Sequence, residues 1–212
     1  ATPTPSPTPS VASIEAATVS EATETIEAAT VASAAAILED VSSSKAADIL
    51  EGVTTSKAAD ILEEITIDKA SEIIEEIETS KAVEIIEEVS TSKAADVIET
   101  ITTAKAVAII QAVTTTKAAL IIEEVTLTKA VSILSDVTVA KAADILEQIT
   151  TDKAADVLEE VTTSKSTEIL TDITPATAGT IMDLISTERI TDVVKLMNQD
   201  KLIERLPEMT TE

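Results

Sequence analysis

Pairs of neighbouring glutamates recur along the chain, several of them 12 residues apart, and they are the residues best suited to chemistry. Carboxylate oxygens are the ligands that hard cations such as Ca²⁺ and Mg²⁺ prefer. Adjacent helical residues point about 100° apart, so a pair alone does not chelate an ion. The sequence therefore predicts weak binding of Ca²⁺ or Mg²⁺ along acidic ladders, without one specific site. The candidate residues are Glu63, Glu64, Glu75, Glu76, Glu87, Glu88, Glu123, Glu124, Glu159 and Glu160.

The composition argues against catalysis. The 212 residues include no cysteine and no histidine, which excludes thiolate chemistry, Ser-His-Asp triads and histidine metal sites. Nothing interrupts the repeat to build a pocket for a carboxylate pair. We therefore predict that the protein is not an enzyme and has no catalytic or cofactor-binding residue.

A column of lysines shows that the chain is a tandem repeat. With each lysine as position zero, position −4 is apolar, −3 is Ser or Thr in nearly every unit, +1 is mostly Ala, +4 and +5 are apolar, and +3, +6 and +7 are often acidic. Val53-Thr54-Thr55-Ser56-Lys57-Ala58-Ala59-Asp60-Ile61-Leu62-Glu63-Glu64 is one such unit. The column, spaced by 12, is Lys45, Lys57, Lys69, Lys81, Lys93, Lys105, Lys117, Lys129, Lys141, Lys153 and Lys165.

Each unit predicts one short helix. The hydroxyl at −3 is suited to an N-cap, and Pro175 after Thr174 occupies the first helical position, where proline is tolerated. The helix then runs for roughly ten residues to the acidic pair, with +1, +4, +5 and the next −4 on one apolar stripe. The following Val/Ile-Thr-Thr ends it, since β-branched residues are poor helix formers.

Stacked short helices fit this period better than the alternatives. In one long helix each repeat would rotate the apolar stripe by about 120°, and a coiled coil needs a period near 7 or 11. A β-solenoid is disfavoured by the helix-forming Lys-Ala-Ala-Asp-Ile-Leu-Glu-Glu and by only two glycines. The predicted fold is all-α, an α-solenoid or superhelix of about 14–16 single-helix repeats.

The chain divides into three predicted segments. Residues 1–10 form a Pro/Thr/Ser-rich extended linker, which is either a plain stiff spacer or a stalk with O-glycans on Thr and Ser. Residues 11–40 are degenerate N-terminal capping repeats, in which Ser33 replaces the lysine. Residues 41–212 are regular repeats, with the array continuing or stacking beyond the C-terminus. The stalk composition predicts an extracellular or cell-surface location.

The net charge of the chain excludes some classes of binding partner. A net charge of −24 and a pI near 4.1 argue against nucleic acid and against an anionic membrane surface. No apolar run approaches the roughly 18 residues of a membrane span. The lysines are expected to pair with Asp or Glu at +3 or +4, or with the acidic pair of an adjacent helix.

The central units lose their acids. Ala108, Leu120 and Ser132 replace the acid at +3, which is either sequence drift or a contact between copies of the chain. The second interpretation predicts a homo-oligomer or filament, with Leu120, Leu127 and Met209 as self-association candidates.

Ile149-Thr150-Thr151-Asp152-Lys153-Ala154-Ala155-Asp156-Val157-Leu158-Glu159-Glu160 resembles the repeat of the N-terminal helical superhelix domain of MgtE-type magnesium transporters. Ile173-Thr174-Pro175 also keeps the proline of that repeat. This chain has more repeats, mostly lacks the proline and carries lysine where the family has acidic or variable residues. The resemblance implies a superhelix of short helices and a cation-responsive regulatory domain.

These observations predict a secreted structural repeat protein that assembles with itself into an extracellular filament, sheath or surface layer. The alternative is a non-enzymatic binding module, either a peptide-binding solenoid or an acidic solenoid that responds to divalent cations.

Overall fold

The computed structural model describes residues 9–197, which form sixteen α-helices and no strand. The chain splits into two compact units, Ala1–Ile101 and Thr102–Glu212. Each unit is a solenoid of short helices joined by tight turns. The predicted all-α solenoid is confirmed.

The helices follow the 12-residue period of the sequence. In the first unit they are α1 (Val11–Ala16), α2 (Val19–Ala28), α3 (Val31–Asp40), α4 (Ser43–Gly52), α5 (Thr55–Glu64), α6 (Ile67–Glu76), α7 (Thr79–Glu88) and α8 (Thr91–Thr100). In the second they are α9 (Thr103–Ala112), α10 (Thr115–Glu124), α11 (Leu127–Asp136), α12 (Val139–Leu146), α13 (Thr151–Glu160), α14 (Thr163–Asp172), α15 (Pro175–Met182) and α16 (Thr187–Leu196).

The predicted N-cap sets the start of most helices. In α5 the hydroxyl of Thr54 accepts the N–H of Lys57, so the lysine stands at the third helical position. Pro175 occupies the first turn of α15, as predicted, and there Thr174 makes no such side-chain bond. Because the cap recurs at −3, nearly every helix begins at −2 and most run ten residues.

The described helices end without a left-handed glycine cap. Val53 is the C-cap of α4 and has an extended backbone, with φ −80° and ψ 164°. The next residue, Thr54, is already the N-cap of α5. Within residues 9–197 no residue has a positive φ, so the left-handed glycine cap that commonly ends helices is not used. The last carbonyls of each helix therefore need donors from elsewhere in the fold.

The apolar stripe is the core. In α5, Ala58, Ile61 and Leu62 are fully buried and Ile65 of the following turn is nearly so. Position +2 is also buried, as at Ala59, which the helical stripe alone did not predict. Alanine at +1 and +2 keeps the backbones of packed helices close, because it adds little bulk between them.

Helices pack on the second helix along the chain, not on the next one. In the first unit α2 packs on α4, α4 on α6 and α6 on α8, while α3, α5 and α7 make a second series. The second unit repeats the pattern, with α10, α12, α14 and α16 in one series and α9, α11, α13 and α15 in the other. The packing period is therefore two sequence repeats, or 24 residues.

At one contact between packed helices of the first unit, the small and the large residue stand on the opposite helices from those in the neighbouring pair. A Cβ on Gly52 of α4 would lie 2.8 Å from Cγ2 and 2.9 Å from Oγ1 of Thr23 in α2. The equivalent pair in α3 and α5 is Ala35 and Glu64, with the small residue on the other helix. Gly52 therefore accommodates the larger Thr23 through close approach rather than through an unusual backbone angle.

Ser71 in α6 should become more favourable as alanine. Its hydroxyl is buried and has no hydrogen-bond partner, whereas most other helices of the first unit carry Ala at this position. Ser71→Ala should raise the unfolding free energy by about 0.5–1.5 kcal/mol, since it removes an unsatisfied buried hydroxyl and improves helix propensity. Urea denaturation checks this, with exposed Ser44→Ala as the control for propensity alone. A loss of stability in Ser71→Ala would mean that the hydroxyl has a partner.

Candidate functional site

The lysine column binds helix ends. In eight repeats of the described residues the lysine ammonium reaches back 28 residues and donates to the C-cap carbonyl of the third helix before its own; Lys81 Nζ, for example, lies 2.9 Å from the Val53 carbonyl oxygen. The same contact joins Lys45 to Ala17, Lys57 to Ala29, Lys69 to Val41 and Lys93 to Ile65 in the first unit, and Lys141 to Val113, Lys153 to Val125 and Lys165 to Val137 in the second. The expected acidic partners are therefore replaced here by main-chain oxygens.

This contact explains why a lysine can stand in the first turn of these helices. A cation in the first turn of its own helix is unfavourable, because the helix dipole is positive there. The ammonium instead lies at the negative end of another helix, where it binds the carbonyl of the C-cap residue, one of the end groups without a partner in its own helix. The lysine is thus a C-cap supplied from a different repeat.

The acid at +6 makes the opposite contact. Glu39 of α3 accepts the N–H of Thr66, at 3.0 Å, and its hydroxyl, at 2.6 Å; Thr66 is the N-cap of α6. The reach is 27 residues. The equivalent pairs are Glu15 with Ser42, Glu27 with Thr54, Glu51 with Glu78 and Glu63 with Ser90 in the first unit, and Gln111 with Thr138, Glu123 with Thr150, Glu147 with Thr174 and Glu159 with Ser186 in the second.

The two contacts form a reciprocal unit that we call the clamp. One helix gives its +6 carboxylate and its C-cap carbonyl; the third helix after it gives its N-cap residue and its lysine. In α3 and α6 these are Glu39, Val41, Thr66 and Lys69. The clamp joins the positive end of one helix to a carboxylate and the negative end of another to an ammonium, so both dipoles are stabilised.

Lys93 is the most buried lysine of the described part, with 8% of its surface exposed. Its Nζ lies 2.5 Å from the Ile65 carbonyl oxygen. Desolvation lowers the pKa of Lys93 below its ordinary value of 10.5, although Glu63, Asp96 and Glu39 act to raise it. The ammonium is held in the clamp against a burial penalty.

The lowered pKa of Lys93 predicts a pH dependence. The unfolded chain holds this proton up to about pH 10.5, whereas the folded protein releases it at lower pH. Between those two pKa values the unfolded state binds more protons, so the contribution of Lys93 to the unfolding free energy rises with pH. Denaturation of wild type and Lys93→Met across pH 8–11 (about the titration range of lysine) should show a steeper rise of the unfolding free energy in wild type than in the variant. Parallel curves for the two proteins would contradict it.

Arg189 makes an enlarged clamp in α16. Its Nη2 donates to the carbonyl oxygen of Val161, and its Nε lies 3.0 Å from that of Leu158. Its other donors reach the hydroxyls of Thr163 and Ser166, each at 2.9 Å. Ser166 replaces the usual buried alanine at +1, so the extra hydroxyl answers the extra donors of guanidinium.

In the first two helices, the side chain that binds the N-cap residue comes from the same helix. Glu21 stands at the lysine position of α2 and accepts the hydroxyl and the N–H of Thr18, at 2.8 and 3.1 Å. These bonds, the hydroxyl bond first, lower the pKa of Glu21. In α1 the side chains of Ser10 and Ser13 make the same reciprocal box. Both helices thus satisfy locally the N-cap groups that later helices satisfy through the clamp.

The sequence matches the family described as the MgtE intracellular N domain over residues 7–97 and again over residues 89–186. Together the two matches span most of the chain. The chain belongs to this family. Comparison with curated proteins and with solved structures gives no match.

Membership of the MgtE N-domain family confirms the resemblance and corrects the predicted location. The family is described as an intracellular domain, which contradicts an extracellular or cell-surface protein. The Pro/Thr composition of the first ten residues was the basis of that prediction, and composition is shared by linkers inside and outside cells. Within residues 9–197 no helix is long and apolar enough to cross a membrane.

The predicted metal ligands of this MgtE N-domain protein divide into two groups. The first group stands at position +6, where the clamp acids lie, and comprises Glu63, Glu75, Glu87, Glu123 and Glu159; of these, contacts with an N-cap residue are described above for Glu63, Glu123 and Glu159. The second group stands at +7 and is exposed to solvent; it comprises Glu64, Glu76, Glu88, Glu124 and Glu160. In the described part of the chain no three acidic side chains come together as ligands of one ion. In the pairs that begin with Glu63, Glu123 and Glu159, the first glutamate binds the N-cap of another helix and the second is exposed to solvent.

The self-association candidates lie in different surroundings. Leu120 of α10 is 49% exposed, and Leu127 at the start of α11 is half-buried. Met209 lies outside the described residues. Leu120 lines a shallow depression of about 180 Å³ with Thr116, Ala119, Glu123, Gln148, Ile149 and Thr150.

Five acids that bind the N-cap residue of another helix were not among the predicted site residues, namely Glu15, Glu27, Glu39, Glu51 and Glu147. One signal could have found them. The lysines begin at Lys45 in α4, the first helix that has another helix three places before it, whereas the clamp acids begin at Glu15 in α1. That offset of three helices indicates how far along the chain the two columns reach.

Proposed function

We propose that this protein is a non-catalytic helical scaffold whose stability responds to divalent cations such as Mg²⁺. The carrying observation is a surplus of exposed carboxylates that the clamps do not use. In the first unit it includes Asp48, Asp60, Asp96, Glu64, Glu76 and Glu88, all exposed at +3 or +7. Membership of the MgtE N-domain family supports the proposal, because the family is named for a magnesium transporter.

The arrangement favours many weakly held ions over one tight site. Mg²⁺ keeps several of its waters and binds through one or two carboxylates, so single and paired surface acids suffice. Some +3 acids already accept a hydroxyl from the helix packed before them, as Glu84 does from Thr55 at 2.8 Å. Bound ions would reduce the self-repulsion of a chain with a net charge of −24 and so favour the folded stack.

Millimolar MgCl₂ should therefore stabilise the protein beyond the effect of NaCl at equal ionic strength. A half-saturated site contributes about 0.4 kcal/mol, so several sites should add about 1–2 kcal/mol to the unfolding free energy. Urea denaturation in the two salts measures the difference. Replacing Asp60, Glu64 and Glu88 by their amides should reduce it, while amide replacement of the clamp acid Glu39 should lower stability equally in both salts. Equal curves in MgCl₂ and NaCl would overturn the proposal.

Self-assembly into a filament stays a prediction, which light scattering over a wide concentration range tests. The local boxes of α1 and α2 weigh against growth from the N-terminal end, since the N-cap groups there already have partners. They also support a capping role for residues 11–40.

A further inference from the structure

The packed helices α10 and α12 of the second unit carry an apolar interruption in an acidic surface. Leu120 occupies position +3 of α10, where α12 and α14 carry Asp144 and Glu168. Gln148 occupies position +7 of α12, where α10 carries Glu124. Two acids are thus replaced at neighbouring places on packed helices, and the depression of about 180 Å³ lies between them.

The depression has an apolar floor and a polar rim. Leu120, Ala119 and Ile149 supply the apolar surface, and Thr116 donates a hydrogen bond to Gln148 at 3.3 Å across it. Glu123, on the rim, holds both of its oxygens against Thr150 and is fixed by that clamp. The surface is therefore preorganised, with one large aliphatic side chain half open to solvent.

The surroundings of the depression are strongly acidic, although most of α9 and α10 carries no acid. Residues 102–122 carry no Asp or Glu, although the chain has 39. Glu124, Asp144 and Glu147 are exposed on the elements that border the depression. Such a field attracts cationic partners and raises their association rate.

A second copy of the chain is a poor occupant. It would bring a net charge of −24 to a surface of the same sign, and in each unit lysines are directed into C-cap carbonyls by the clamp. An occupant that matches the charge must bring its own cations around one apolar anchor. A basic amphipathic helix does this, since it presents aliphatic residues on one face and lysines or arginines beside them.

We propose that the depression beside Leu120 is a docking site for a cationic amphipathic segment of a partner protein. The apolar anchor packs on Leu120 and Ile149, while the flanking cations face Glu124 and Asp144. This inference is independent of the response to divalent cations and is tested without them.

The probe is a labelled helical peptide of lysine and leucine with leucines at i, i+3, i+4 and i+7, measured by fluorescence anisotropy in NaCl. Leu120→Asp should weaken binding at least tenfold (about the contribution of one buried aliphatic anchor). The added negative charge works in the opposite direction, so weaker binding cannot arise from electrostatics. Leu184→Asp, at another exposed leucine of the second unit, should leave binding unchanged or slightly tighter.

A companion peptide with serine in place of leucine should bind Leu120→Asp and Leu184→Asp at least as tightly as wild type, because it keeps its lysines and has no apolar anchor to lose. Circular dichroism confirms that the variants fold, and Leu120→Ser repeats the test without a new charge. Equal binding by Leu120→Asp, Leu120→Ser and wild type would overturn the proposal and leave only non-specific attraction. A wild-type dimer that Leu120→Asp dissociates would also overturn it, by assigning the depression to a second copy.

Discussion

Leu62→Ala should lower the unfolding free energy by about 2–5 kcal/mol. Leu62 is at position +5 of α5 and is fully buried. The chain has no aromatic residue, so the aliphatic side chains at +4, +5 and the next −4 supply the large buried surface. Removing three carbons there leaves a cavity that short, backbone-constrained helices refill poorly.

The repeat supplies matched controls for this prediction. Leu158→Ala changes the same position in α13 of the second unit, where the side chain is also fully buried, and should cost a similar amount. Glu64→Ala and Glu160→Ala, two residues further along each helix and exposed, should stay within about 0.5 kcal/mol of wild type. Urea or thermal denaturation gives all four values. A small effect of Leu62→Ala beside a large effect of Leu158→Ala would show that the two units do not share one core design.

Lys93→Met should cost about 1–3 kcal/mol, because it leaves the Ile65 carbonyl without its charged donor. Methionine keeps the unbranched apolar stem of lysine, so the substitution changes the ammonium and little else. The desolvation penalty of the buried ammonium reduces the net loss, which is why the expected value is below the gross strength of a charged hydrogen bond.

Lys195→Met is the matched control for the clamp. Lys195 is paired with Asp192 at 3.0 Å on the surface of α16, with 67% of its side chain exposed. Surface pairs of this kind contribute about 0–1 kcal/mol, so the control should be near wild type. If Lys93→Met proved as stable as wild type, the clamp ammonium would contribute nothing net and the lysine column would need another explanation.

The position of each helix could be predicted from the repeat. Thr54 and its equivalents cap a first turn, Pro175 is tolerated there, and the β-branched Val53 column ends most helices, all through interactions within a few residues. The buried columns follow from the same local geometry, because +1, +4, +5 and the next −4 share one helical face. Such features depend on neighbours along the chain, so the sequence alone was sufficient.

The location could not be predicted in this way. Alternating proline favours an extended segment for physical reasons, but no physical law ties that segment to one side of a membrane. The residues of this segment carry no information about location, so the prediction was corrected by the family match.

The sequence by itself determined the period, the helix bounds and the inward stripe, whereas only the tertiary structure decided what the charged columns bind. Lys69 was expected to meet a carboxylate near it on its own helix or an adjacent one. It reaches the Val41 carbonyl instead, and Glu39 reaches Thr66, over 28 and 27 residues. Those separations along the sequence follow because each helix packs on the second helix after it, which no local rule specifies. Long-range partners depend on which apolar faces stack, and that choice is made by the whole core at once.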